Sequence, residues 1–296
     1  MRPTRLRVAT RGSELALAQA RTVVERLGVD AEVVVVTTTG DRRADVPIRA
    51  LGGSGAFVKE VQDAVLAGTA DLAVHSAKDL PATTPPGLVL AAVPERGDPR
   101  DALVGATLDA LPAGARVGTG AVRRRAQLAH VRSDLTFGEL RGNIGTRLER
   151  AATFDAVVVA AVALDRLGLA ARIAQRLEPD VMLPQVGQGA IAVECRTDDA
   201  EARAALGAID DPDAHRAVRT ERAFLAEIGG GCNRPCGALA RVVGQRIEAE
   251  VLLASLDGHM VLRSRAAGDD PERVGRDAAR ALLDAHGGRV LLEEQP

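Results

Sequence analysis

The sequence predicts an α/β protein of three domains, the last a small α+β unit. Three observations predict it. Strand-like apolar runs alternate with helix patterns over the first two-thirds of the chain, which implies mostly parallel sheets covered by helices. Two punctuated stretches, Pro94–Arg100 and Leu183–Gly189, read as linkers on either side of a second unit. From about Asp211 strand-like runs cluster and a helix follows, the order of an α+β unit. A chain of 296 residues has room for two or three domains.

In the first unit Leu6–Thr10 reads as a strand, Glu14–Leu27 as a helix with Ser13 as N-cap, and Glu32–Thr38 as a Val-rich strand. Phe57–Leu66 reads as a helix, and Asp71–Val74 and Leu88–Val93 as strands. In the second, strands Arg116–Gly118, Leu135–Leu140 and Asp155–Ala160 alternate with helices Val122–Val131 and Asn143–Ala151. Ala190–Glu194 is a further strand. The last unit reads as helix Ala214–Ile228, strands Ala238–Val243, Ile247–Leu253 and Met260–Arg265, and helix Pro271–Ala285.

Composition excludes several function classes. The net charge of −2 provides no global field for nucleic acid or membrane. With no Trp, no Tyr and four Phe, the chain has little on which to stack bases. No window approaches the ~18 uncharged apolar residues of a membrane helix. The chain opens on a strand rather than a signal peptide. Three cysteines, Cys195, Cys232 and Cys236, make no disulfide framework. The expectation is a cytoplasmic protein.

The stretch His75–Pro81 follows a buried strand, at the carboxyl edge where open α/β sheets bind ligands. It sets Lys78 beside Asp79. Lys59 and Lys78 are the only lysines among 38 basic residues, so a compact ammonium is needed where one survives. His75 reads as a strand-end histidine rather than a base. Arginine also crowds three strand-to-helix junctions, at Arg11, at Arg123-Arg124 and at Arg141 to Arg147. A helix N-terminus is already positive, so arginine is unfavourable there unless an anion binds too. Three such junctions point to a ligand with several negative groups, and arginine forks suit carboxylates as well as phosphates. No P-loop is present, and Gly187-x-Gly189 precedes its strand instead of following one, so a dinucleotide site fails on context.

Gly229-Gly230-Gly231 leads into Cys232, which leaves that thiol accessible; a nucleophilic role fits it at least as well as a structural one. Cys195 and Cys236 read as buried structural thiols. A zinc site needs four ligands, and the five histidines are scattered.

Together these segments resemble the porphobilinogen deaminase (hydroxymethylbilane synthase) family. The resemblance runs through Ala9–Ser13, Phe57–Glu60, His75–Pro81, Asp98–Ala102, Arg123-Arg124, Arg141–Arg147, Ala161–Leu169, Val186–Ala190 and Gly230–Cys232. It implies two periplasmic-binding-protein-like α/β domains with a cleft between them, residues 1–94 with 189–208 and residues 98–184, and an α+β domain over residues 211–296. It implies a transferase of tetrapyrrole (haem) biosynthesis that joins four porphobilinogen molecules with loss of ammonia. A dipyrromethane cofactor would be bound to Cys232 through a thioether. Asp79 would be catalytic; Lys78, Thr119, Arg123, Arg124 and Arg141 would hold the cofactor; Arg11, Ser13, Arg147 and Arg166 would hold substrate. The expected partner is porphobilinogen alone, with no metal, nucleic acid or membrane, and the chain a monomer. The sequence departs from the family pattern at Ser54, at Gly120-Ala121 and at Arg234 and Cys236. Two other readings compete: a binding module that merely holds a polyanion, and a cofactor-free paralogue of the same fold.

Overall fold

The computed structural model describes residues 5–42, 55–230 and 234–293. In chain order the first elements are β1 (Leu6–Arg11), α1 (Glu14–Leu27), β2 (Ala31–Val36), α2 (Thr39–Arg42), α3 (Lys59–Leu66), β3 (Leu72–Ser76) and β4 (Leu88–Ala92). A second group follows: β5 (Asp101–Val104), β6 (Arg116–Gly118), α4 (Val122–Val131), β7 (Thr136–Gly138), α5 (Ile144–Arg150), β8 (Ala156–Ala160), α6 (Ala161–Arg166) and β9 (Gln175–Leu177). The chain ends with β10 (Ile191–Arg196), α7 (Ala200–Gly207), α8 (Pro212–Glu227), β11 (Cys236–Val243), β12 (Arg246–Ala254), β13 (Val261–Gly268), α9 (Pro271–Arg280) and α10 (Gly288–Glu293). A π-helical turn, Ala281–Ala285, continues α9.

Local chemistry explains the helix starts. Ser13 caps α1 by accepting from Ala16 N, and Gly28 closes it in the left-handed region. Asp211-Pro212 and Asp270-Pro271 open α8 and α9 alike, with an aspartate cap and a proline in the first turn. Helix α8 therefore begins two residues before the position expected from apolar spacing.

Two five-stranded sheets run β2-β1-β3-β10-β4 and β7-β6-β8-β5-β9, and a third runs β11-β12-β13. Four strands of each five-stranded sheet run in one direction, as expected of mostly parallel sheets, and one strand in each is reversed. In the first sheet β1 pairs in parallel with β2 and β3, but β10 is antiparallel to both β3 and β4. The second repeats the plan, with β6 parallel to β7 and β8 and β5 antiparallel to β8 and β9. The reversed strands, β5 and β10, are the two that follow the Pro94–Arg100 and Leu183–Gly189 crossings, the strands by which the chain enters each sheet after crossing. Strand β10 starts beside the carboxyl end of β3, with Ile191 opposite Ser76, so it must run back the other way. Sequence reading missed the short strands β5 and β9 and the helices α2, α6 and α7.

The third sheet and α8 fasten the rest. Ala214 and Val218 of α8 share a core with Ala77, Leu80, Val93 and Ala190. Leu239, Leu252 and Ala254 pack on Ala126 of α4 and on Leu183. Glu221 of α8, 1% exposed, receives Arg96 Nη1 at 2.6 Å and Nη2 at 3.1 Å, Gly187 N at 2.7 Å and Ala240 N at 2.9 Å. One carboxylate thus joins both inter-unit crossings to β11. Removing one partner of a buried pair leaves an uncompensated charge, so Glu221→Ala should lower stability by about 3–5 kcal/mol. A urea midpoint unchanged from wild type would refute this.

Candidate active site

The His75–Pro81 stretch forms the end of β3 and a 3-10 turn, Ala77–Asp79. Buried Ala77 and Leu80 anchor the turn, and Lys78 and Asp79 between them are half-buried. The backbone is held from behind. Ala77 N donates to Ala190 O at 3.0 Å, and Gln185 Nε2 donates to Lys78 O at 3.1 Å. Gly187 has φ +70°, and a Cβ there would fall 2.9 Å from the Ala77 carbonyl carbon, so only glycine lets the crossing lie this close. His75 is buried with its Nε2 3.2 Å from Glu194 Oε2, an oxygen that Gln62 Nε2 also meets at 2.8 Å. It belongs to the core behind the turn.

Burial, then the nearby Arg124 guanidinium, push the Lys78 ammonium down to about 8, against the pull of Asp79 and Asp101; Arg147 adds to the depression. Burial likewise lowers Arg147 to about 10, with Arg124 and Arg141 adding and Asp79 opposing. These mutual influences set Lys78, Asp79, Arg124, Arg141 and Arg147 in one electrostatic neighbourhood. A desolvated cluster with this excess of cations is a site for a polyanion.

Asp101, on β5, organises that cluster, and sequence reading gave it no role. Its carboxylate is fully buried, with Arg123 Nη1 at 2.8 Å, Arg124 Nη2 at 2.9 Å and Gln188 Nε2 at 3.0 Å. Burial opposes its ionisation, but Arg123 and Arg124 outweigh it and hold the carboxyl at about 2. Arg124 also donates to Val158 O at 3.0 Å, and Arg123 to Leu183 O at 2.6 Å. Part of the arginine charge read as a call for a ligand is therefore answered inside the protein. Arg123 Nη2 is buried without a partner among the described residues, a donor still to be used.

The other expected residues are dispersed around this centre. Arg11 pairs with Asp41 and stacks on Phe57, its guanidinium carbon 4.3 Å from the ring centre. Ser13 Oγ accepts from Ala16 N at 3.3 Å, and buried Thr119 Oγ1 from Ala121 N at 3.2 Å; each keeps its hydroxyl proton to donate. Arg166 Nη2 donates to Gly189 O at 2.7 Å, and burial, followed by Arg26, lowers it to about 10.

Cys232 and Ser54 lie outside the described residues. Cys195 and Cys236 are buried in β10 and β11, as expected of structural thiols. Arg234 bonds the Ile228 carbonyl and so caps the carboxyl end of α8. A Cβ on Gly120 would meet Leu140 O at 3.0 Å, which explains a glycine there. Among the described residues no cluster of His, Cys, Asp and Glu could hold a metal, and no helix is long and apolar enough to cross a membrane. The donor set fits a carboxylate-rich cofactor: an orphaned buried guanidinium donor, a half-buried ammonium and arginines ordered by Asp101.

Residues 6–204 match the family described as "Porphobilinogen deaminase, dipyromethane cofactor binding domain", and residues 215–284 match "Porphobilinogen deaminase, C-terminal domain". The chain is 50% identical to a porphobilinogen deaminase of Roseiflexus castenholzii, over 97% of this chain and 98% of that protein. It is 45% identical to that of Syntrophobacter fumaroxidans, over 98% and 97%. With the Brevibacillus brevis protein of the same name it shares 44%, over 97% and 96%.

The Lys78 ammonium should make anion binding at this cluster pH-dependent. It is protonated below about 8 and loses its charge as pH rises through that value. In Cys232→Ser protein, whose cluster is left open, affinity for a polycarboxylate probe such as citrate should weaken across that window. Lys78→Arg, which stays charged, should flatten the step. Calorimetric titrations at pH 7 and pH 9 check this; an equal step in both proteins would show that another group is responsible.

Proposed function

The chain belongs to the porphobilinogen deaminase family, and from that premise we propose that it is a hydroxymethylbilane synthase. It joins four porphobilinogen molecules head to tail, with loss of ammonia, into the linear tetrapyrrole hydroxymethylbilane. The single observation that carries this reading is the cluster of Lys78, Asp79, Arg124 and Arg147 in one desolvated neighbourhood around Asp101. Each pyrrole of substrate and cofactor bears an acetate and a propionate, so the growing chain is the polycarboxylate that such a cluster suits. We take the units as residues 1–94 with 189–208, residues 98–184 and residues 211–296.

Cys232 would carry the dipyrromethane through a thioether, and the bound group supplies the pyrrole carbon to which the first substrate is joined. Lys78, Arg123, Arg124 and Arg141 neutralise its carboxylates, and Thr119 donates a hydrogen bond. Arg123 and Arg124 arrive already oriented, because Asp101 fixes their forks; less freedom is lost when a carboxylate binds. Arg11, Arg147, Arg166 and Ser13 take the carboxylates of incoming substrate.

Asp79 faces a different task. Loss of ammonia leaves positive charge on the substrate pyrrole, and a fixed carboxylate stabilises that charge as it develops. The same group can move protons at the departing amine and at the carbon being joined. Its turn is braced from behind by Ala190, Gln185 and Gly187, so little reorganisation accompanies the step. The net charge of −2 supports a reading with no nucleic-acid or membrane partner, and we propose a cytoplasmic monomer.

Intact mass spectrometry tests the reading directly. Wild type should carry the mass of two pyrrole units, and Cys232→Ser should fold without it; Cys195→Ser and Cys236→Ser should keep it. Asp79→Asn should retain the added mass but lose turnover by at least ~10²–10³-fold, the loss typical of removing one oriented electrostatic group. A drop smaller than tenfold would take Asp79 out of the chemical step.

A further inference from the structure

We infer that Asp41 is a positioning residue for substrate capture: it fixes the Arg11 guanidinium so that its free edge meets a carboxylate of incoming porphobilinogen. The inference rests on the transferase reading above. Arg11 closes β1, at the same sheet edge as the Lys78-Asp79 turn that follows the parallel strand β3. Its side chain is long and only partly buried, and unsupported it would sample many rotamers.

Asp41 removes that freedom, and its own orientation is secured independently of Arg11. Thr38 N donates to Asp41 Oδ2 at 3.2 Å, and Thr38 Oγ1 donates to the same oxygen at 2.7 Å. The fixed carboxylate then takes Arg11 at two points, Nε on Oδ2 at 3.2 Å and Nη2 on Oδ1. Such a two-point pair sets the plane of the guanidinium, which a lysine could not do. Phe57 covers one face of that plane at 4.3 Å. The ring is seated against Gly40, where a Cβ would come within 2.1 Å of it. With Asp41 along one edge and Phe57 on one face, Nη1 remains without a protein partner among the described residues. It is the edge left for a ligand.

Neighbouring groups make Asp41 specific to Arg11. Glu60, the other carboxylate gripping α2, accepts Thr39 N at 2.8 Å and Arg42 Nη2 at 3.0 Å. It secures the helix without touching Arg11, so Asp41 is not needed merely to hold α2 in place.

Initial rates with porphobilinogen on cofactor-loaded enzyme test the assignment. Asp41→Asn should raise KM about tenfold, the size of one charge-assisted contact, while kcat changes less than about twofold. In an Arg11→Gln background the same substitution should leave KM unchanged, because the residue it positions is gone. Thr38→Val is isosteric and keeps the Asp41 charge but frees its orientation. It should raise KM two- to fivefold, an effect that also vanishes with Arg11→Gln. An unchanged KM in both variants overturns the inference, as does an equal KM rise with and without Arg11, which would mark a purely structural role. Failure of the transferase reading is distinguishable, because wild type itself would then show neither turnover nor added mass.

Discussion

A carboxylate shut away from water must find its donors within the protein, and Glu221 finds them on three separate segments. Arg96 lies on the outward crossing between the two large units, Gly187 on the return crossing, and Ala240 on the first strand of the third sheet. None of these partners can move far without stranding the charge. The third unit is consequently more than an appendage that bears a cysteine. Through α8 it sets where both crossings lie, and the return crossing in turn backs the Lys78-Asp79 turn so closely that a Cβ at Gly187 would collide with it. The Lys78-Asp79 turn is thus referenced to α8 and β11 through a chain of close contacts.

Asp101 applies the same principle to the ligand. Cationic side chains gathered for a polyanion repel one another while the site is empty, and desolvation depresses each further, as Lys78 and Arg147 register. A buried internal anion relieves that repulsion and fixes two guanidinium planes at once. Arginine tolerates this because its fork serves Asp101 on one side and keeps donors on the other, as the unpartnered Arg123 Nη2 illustrates. Arg11 with Asp41 repeats the arrangement at smaller scale. Each resident carboxylate orders its cations before any ligand arrives.

Much of this was legible in the sequence because it rests on local rules. Ser13 before an amphipathic run marks α1 to the residue, and the apolar run before His75 marks β3. The strand Asp101–Val104 escaped because it opens with a charged residue and is too short for any periodicity to register. Its burial depends on arginines more than twenty positions away. The reversed direction of β10 was not legible for a related reason, since strand direction is decided by where the chain enters the sheet, which no local window contains. The roles of Asp41 and Glu221 are non-local in the same sense. Each is an ordinary surface-type carboxylate until the fold delivers its partner.

The position of β10 between β3 and β4 has a consequence for biosynthesis. Its residues follow those of β4 only after the whole second sheet has been made. A nascent chain that has emerged through β4 therefore holds a sheet with a vacant inner lane, and β3 and β4 expose unpaired backbone along it. Domains often fold in order as they leave the ribosome, but here the first to be made is the later to close. Its completion waits on long-range pairing of the kind that slows folding. Until the return crossing is delivered, that open lane is where a neighbouring nascent chain could add a strand of its own.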